Sequence, residues 1–100
     1  MNSILEKLGL KETNLGTCTG PNGWIDTKGE LITSYNPTTG EPIASVVQTT
    51  PAAYNALVDD AAAAFQTWRN LPAPKRGLLV RDLGNAAREL LEPLGELISL

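Results

Sequence analysis

Beyond Thr50 the apolar residues recur at steps of three and four, and this period restricts the fold more than any other feature of the chain. Tyr54, Leu57, Val58, Ala61, Phe65 and Trp68 fall on one face of a helix that starts with Thr50 as N-cap and Pro51 at the first helical position and reaches about Asn70. Asp59, Gln66 and Arg69 occupy the other face. Pro72 and Pro74 break that helix, because proline donates no backbone N–H and clashes with the preceding turn; Pro74 can open the next one. There Leu79, Val80, Leu83, Ala86, Ala87, Leu90 and Leu91 build a wide apolar stripe up to Pro93. Two consecutive helices with broad apolar faces require a body to cover them. Gly77 and Gly84 lie on the flank of the second stripe, and each costs roughly 1 kcal/mol against alanine. Close packing of another backbone is the expected reason for them, ahead of a hinge. After Pro93, Leu94, Leu97, Ile98 and Leu100 begin a further helical pattern without a Gly or Asn cap or a basic last turn. The expectation is the beginning of a longer protein, with the isolated chain molten or aggregating.

The preceding half has another period. Ser3, Ile4, Leu5, Leu8 and Gly9 predict one short amphipathic helix, with Ser3 as cap and Gly9 as stop. From Asn14 to Gly29 the chain is rich in Gly, Thr, Asn and Pro, which favour turns; a short strand is expected only around Trp24 and Ile25. Leu31–Tyr35 and Ile43–Val47 are β-rich runs, and Asn36-Pro37-Thr38-Thr39-Gly40 between them predicts a hairpin with a loop of four or five residues.

The inventory of residues removes several functions. Eight basic and eleven acidic residues give a net charge of −3, so there is no basic footprint and no nucleic acid is expected as partner. The absence of histidine excludes Ser-His and Cys-His nucleophile pairs and most catalytic zinc sites from these residues. A single cysteine excludes an internal disulfide and favours a reducing compartment, read here as cytoplasmic. No apolar run reaches the length of a signal peptide or a membrane span, so no membrane association is expected. One hundred residues bury about 60 to 70 per cent of their unfolded surface at most, the core of one small domain.

Little in the chain carries chemistry. The glycines at 16, 20 and 23 lack a leading strand and a following helix, and neither Lys28 nor Lys75 completes a phosphate-binding loop. Cys18 has no histidine near it and nothing in sequence to lower its pKa. Asp59 and Asp60 are adjacent on a helix and point about 100° apart, so they cannot share a substrate. Lys75, Arg81 and Arg88 share one helical face, with Arg76 beside them, and read as a solvated face or as ion-pair partners for a later part of the chain, ahead of a phosphate site. Trp24 and Trp68 read as core or interface anchors.

Two stretches carry a resemblance. Ser34-Tyr35-Asn36-Pro37-Thr38-Thr39-Gly40-Glu41-Pro42-Ile43-Ala44, followed by a helix with Ala64-Phe65-Gln66-Thr67-Trp68 and then an Arg-containing helix, resembles the N-terminal signature of the aldehyde dehydrogenase superfamily. Leu8-Gly9-Leu10, Asn14-Leu15-Gly16, Gly23-Trp24, Gly29 to Tyr35, Pro72-Ala73-Pro74-Lys75-Arg76-Gly77, Val80-Arg81, Ala87-Arg88-Glu89 and Leu94 to Leu100 are similar to its antiquitin branch. The likeness covers essentially the whole chain and about the first fifth of a family member.

The resemblance implies an α/β fold: the N-terminal part of the Rossmann-like NAD-binding domain, with a short helix and arm at 1–13, loop and β-hairpin at 14–48 and helices at 50–100, the catalytic domain lying elsewhere. It implies a homotetrameric, NAD-dependent enzyme that oxidises α-aminoadipic semialdehyde, in equilibrium with piperideine-6-carboxylate, to α-aminoadipate in lysine degradation. In such enzymes a cysteine thiolate attacks the aldehyde, a backbone N–H and an Asn amide stabilise the oxyanion, hydride passes to the nicotinamide, and a glutamate-activated water hydrolyses the thioester. None of those groups matches a position here. Cys18 does not match the nucleophile's motif, and no catalytic, cofactor-binding or metal-ligating residue is assigned to this chain, which alone is expected to be inactive. The family's backbone carbonyls for a monovalent cation would fall at Ser34 and Tyr35. Other aldehydes such as betaine aldehyde, NADP in place of NAD, and a complete small helical interaction module stay open as alternatives.

Overall fold

The computed structural model describes residues 2–20 and 23–100. Helix α1 spans Asn2–Lys7. Ser3 lies inside its first turn instead of capping it. Gly9 stops the helix as expected: at φ +70° it lets its own N–H donate to the Glu6 carbonyl (3.0 Å) and the Leu10 N–H to the Leu5 carbonyl (2.8 Å). These two bonds satisfy carbonyls that the helix end would otherwise leave unpaired.

Strands β1 (Thr13–Leu15), β2 (Thr17–Cys18) and β3 (Trp24–Ile25) follow, then β4 (Leu31–Tyr35) and β5 (Pro42–Val47). The hairpin forms where the sequence places it, with Thr33 opposite Ser45 and an irregularity at Ser34/Tyr35. Asn36 builds its turn, its side-chain oxygen accepting from the N–H groups of Thr38 (2.8 Å) and Thr39 (3.3 Å). Gly40 closes it at φ +75°. Two elements differ from expectation. Thr13–Leu15 pairs in parallel with β5, which makes a three-stranded sheet in the order β1-β5-β4. Thr17–Cys18 pairs with the expected strand at Trp24–Ile25.

Helix α2 runs Pro51–Trp68, with the Thr50 hydroxyl accepting from the Ala53 N–H at 3.3 Å. Helix α3 runs Ala73–Glu89, with Pro74 in its first turn. The second apolar stripe does not continue to Pro93 as one helix. The backbone turns at Leu90, and α4 (Leu91–Ser99) carries Pro93 in its first turn, where the missing N–H has no intrahelical acceptor to lose. Among the described residues the four helices and five strands bear out a mixed α and β chain; the helical pattern expected after Pro93 is α4, and β1 and β2 are the strands not expected.

Little of this is internally buried. Among the described residues Leu5, 6 % exposed, is the buried hydrophobic side chain, and Thr17, 2 % exposed, the buried polar one. Among the described residues α1 packs on α4, whereas α2 makes no contact of that extent with the sheet or with α3. The radius of gyration is 16.7 Å, against about 13 Å for a self-contained domain of this length. The accessible surface is 7670 Å², against about 5,500 Å² for a self-contained protein of this mass.

Candidate functional site

The last residues of β5 and the two that follow join several segments through hydrogen bonds. The Gly16 N–H donates to the Val47 carbonyl (3.0 Å), and the Gln48 N–H donates to Glu30 (3.0 Å). The Thr27 hydroxyl donates to the Gln48 carbonyl at 2.5 Å. The Thr17 and Thr49 hydroxyls share a hydrogen bond of 2.5 Å. Thr50 then caps α2. A Cβ on Gly16 would lie 2.5 Å from the Val47 oxygen and 2.7 Å from Val46 Cγ1, and one on Gly29 would strike the Gln48 carbonyl. Both glycines are therefore needed for close approach of two backbones. Reasoning from sequence took Asn14-Leu15-Gly16 as turn material and missed this junction; the β-branched Thr17 beside Gly16 was the one local hint.

Ser34 and Tyr35 end β4 at the irregular pairing, opposite Ala44 and Pro42. Both side chains are exposed, and Pro42 brings no N–H to its pair. Among the described residues no group of three or more His, Cys, Asp or Glu could hold a metal ion.

The side chains weighed for chemistry stay apart. Cys18 is an exposed free thiol in β2, paired with Trp24. Asp59, Asp60, Lys75, Arg81 and Arg88 are exposed; among the described residues none of them makes an ion pair, and the Nε of half-buried Arg76 has no hydrogen-bond partner. The ion pair found joins Asp26 and Lys28 at 2.9 Å. The Lys28 ammonium and backbone N–H both donate to the Asp26 carboxylate and hold its pKa below the ordinary value. The same bonds accompany a left-handed Lys28, at φ 58°, a conformation that a non-glycine residue rarely adopts.

No phosphate cradle forms at α2. Its N-terminus follows Gln48-Thr49-Thr50-Pro51, with no glycine to let a ligand approach the backbone. Pro51 has no N–H, and Thr50 already satisfies that of Ala53. The start of α2 therefore offers no cradle for a dinucleotide's phosphates.

What the chain does present is apolar surface. Tyr54, Val58, Phe65 and Trp68 on α2, and Leu79, Val80 and Leu83 on α3, are exposed, Leu83 at 72 %; Ile98 on α4 is 84 % exposed. Ala61, Ala64, Phe65, Thr67, Trp68 and Leu71 line a shallow hollow on α2. Among the described residues nothing packs against Gly77 or Gly84: a Cβ at either would meet no atom within 4 Å. No helix among the described residues is long and apolar enough to cross a membrane.

A model of the aldehyde dehydrogenase family matches residues 24–100. Alpha-aminoadipic semialdehyde dehydrogenase of Bos taurus is 46% identical over 96 residues, 96% of this chain and 17% of the relative. The protein of the same name from Rattus norvegicus is 44% identical, again over 96% of the chain and 17% of the relative. Aldehyde dehydrogenase family 7 member A1 of Pisum sativum is 42% identical over 97% of the chain and 19% of its own length. The chain thus spans less than one fifth of the length of these relatives.

Proposed function

The chain belongs to the aldehyde dehydrogenase family, and from that premise we propose that it is the N-terminal segment of the NAD-binding domain of an NAD-dependent, homotetrameric, cytoplasmic enzyme that oxidises α-aminoadipic semialdehyde to α-aminoadipate. The observation that carries the substrate is the identity of 46% and 44% to two proteins named for that aldehyde, each over 96% of the chain.

Two physical observations support a structural part for these residues. About 2,200 Å² more surface is exposed than a self-contained protein of this mass would show. That surplus lies largely on helix stripes whose spacing suits packing against another layer. The second observation is the lack of reactive groups: no histidine in the sequence, one exposed thiol without a base, and a strand-to-helix turn without a phosphate cradle. The segment contributes strands and helices that scaffold the domain; the nucleophile, oxyanion donors, base and cofactor turn come from other residues.

The test is steady-state kinetics of the full-length protein with NAD and with NADP, comparing α-aminoadipic semialdehyde with betaine aldehyde. The expected result is reduction of NAD with the highest kcat/KM for the semialdehyde. A higher kcat/KM for betaine aldehyde would overturn the substrate, and absence of nicotinamide reduction with any aldehyde would overturn the enzyme. A stable species of 10.6 kDa in cells, without dehydrogenase activity, would favour a small interaction module instead.

A further inference from the structure

Among the described residues α4 packs on α1, and α1 also borders the hairpin. Ile4 lines a hollow with Leu91, Gly95 and Ser99 of α4, while Leu5 and Leu10 line a groove with Pro42 and Ile43 of the hairpin. Adjacent helical positions point about 100° apart, so Ile4 and Leu5 serve two different neighbours from one turn of helix. Leu5 is also the buried hydrophobic residue among those described.

The chain then ties itself to β5. The Ser45 N–H donates to the Glu12 carbonyl (2.8 Å), and the Gly16 N–H donates to Val47 (3.0 Å). The Asn14 amide donates to the carbonyls of Lys11 (2.7 Å) and Ser45 (3.3 Å), while its oxygen accepts from the Lys11 N–H (2.9 Å). The match to the family model begins at residue 24, whereas the relatives align over 96–97% of the chain. Residues before 24 thus lie outside the part that the family model matches, and within them β1 covers an edge of β5 that would otherwise be open.

We propose that Asn2–Gly16 is a strap that fixes α4 to the sheet, with one anchor at β5 and the other at α4, so that loosening either anchor loosens both. This sets where α3 and α4 run relative to the hairpin, which packing of α2 does not decide.

The experiment is residue-resolved hydrogen exchange on the full-length protein carrying Gly16→Val, which forces β1 from β5, or Ile4→Asp, which uncouples α1 from α4. Each variant is expected to speed exchange about tenfold at both Ser45 and Leu94–Ile98, the loss of roughly one hydrogen bond's worth of protection at each place. The amides of α2 and the Thr19 N–H, which donates to Gly23, are expected to keep their wild-type rates. Should either variant fail to fold, Asn14→Ala and Ile4→Ala supply the same comparison. Acceleration confined to the mutated anchor overturns the strap, as does uniform acceleration throughout the chain, which would mean plain loss of global stability. Because the readout is exchange and not turnover, its failure leaves the dehydrogenase reading standing.

Discussion

Gly16→Ala is the substitution whose cost follows most directly from geometry. Gly16 has a negative φ, so alanine is not excluded by backbone conformation. Its difficulty is space: the new methyl would sit 2.5 Å from the Val47 carbonyl oxygen and 2.7 Å from Val46 Cγ1. Val46 can rotate, but Val47 is held on both sides, by Leu15 of β1 and Leu31 of β4. The smallest relief is to move β1 outward, which loses the Gly16-to-Val47 hydrogen bond and weakens the pairing at Leu15. Two hydrogen bonds at about 1 kcal/mol each and overpacking of roughly 1 kcal/mol are offset by about 0.5 kcal/mol from a stiffer unfolded chain, a net loss of about 2.5 kcal/mol. Gly40→Ala separates the two causes, since its φ is +75° with nothing within 4 Å of the new methyl. It loses only the left-handed preference, about 1–2 kcal/mol. Urea denaturation of the full-length protein, read as a change in midpoint at constant slope, measures both. A Gly16→Ala variant at least as stable as Gly40→Ala would refute the close approach of β1 to β5.

Gly40→Asn should recover much of the loss of Gly40→Ala, and Gly40→Val should exceed it, because asparagine tolerates the left-handed region and a β-branched residue does not; midpoints from the same denaturation series give the order. Leu83 is 72 % exposed within these residues; Leu83→Asp should nevertheless cost more than about 3 kcal/mol in the full-length protein, and a midpoint shift no larger than that of an ordinary surface substitution would show that its face stays uncovered there. The isolated chain should bind an apolar dye, associate with rising concentration and lack a cooperative thermal transition; a sharp transition in a monomer of 10.6 kDa would contradict this. The folded-state pKa of Asp26 is depressed by Lys28, so its small contribution to stability is present above the ordinary value of 3.8 and is lost as pH falls through the lower folded value. Carboxyl NMR titration should find Asp26 below 3.8, rising toward it in Lys28→Ala.

The local part of this fold was legible in the residues themselves. Thr50 and Pro51 start α2, Gly9 stops α1, and Asn36 with Gly40 closes the hairpin, because each acts within a few residues of itself through a cap, a positive φ or a side-chain bond to the adjacent backbone. The same stretch from Ser34 to Ala44, with the Phe65 and Trp68 helix, made the family legible too. The parallel pairing of β1 with β5 was not, since Thr13↔Ser45 and Leu15↔Val47 join segments some thirty residues apart and three residues carry no readable alternation. The hydroxyl pair of Thr17 and Thr49 and the demand for glycine at 16 and 29 arise only when those segments meet. The break at Leu90 was hidden because Pro93 reads equally as the end of one helix or the first turn of another, and packing of α4 on α1 selects the second. Sequence determined which faces of α2 and α3 are apolar; the tertiary structure alone decided that they stay largely exposed among the described residues, because covering requires two surfaces to meet and periodicity describes only one.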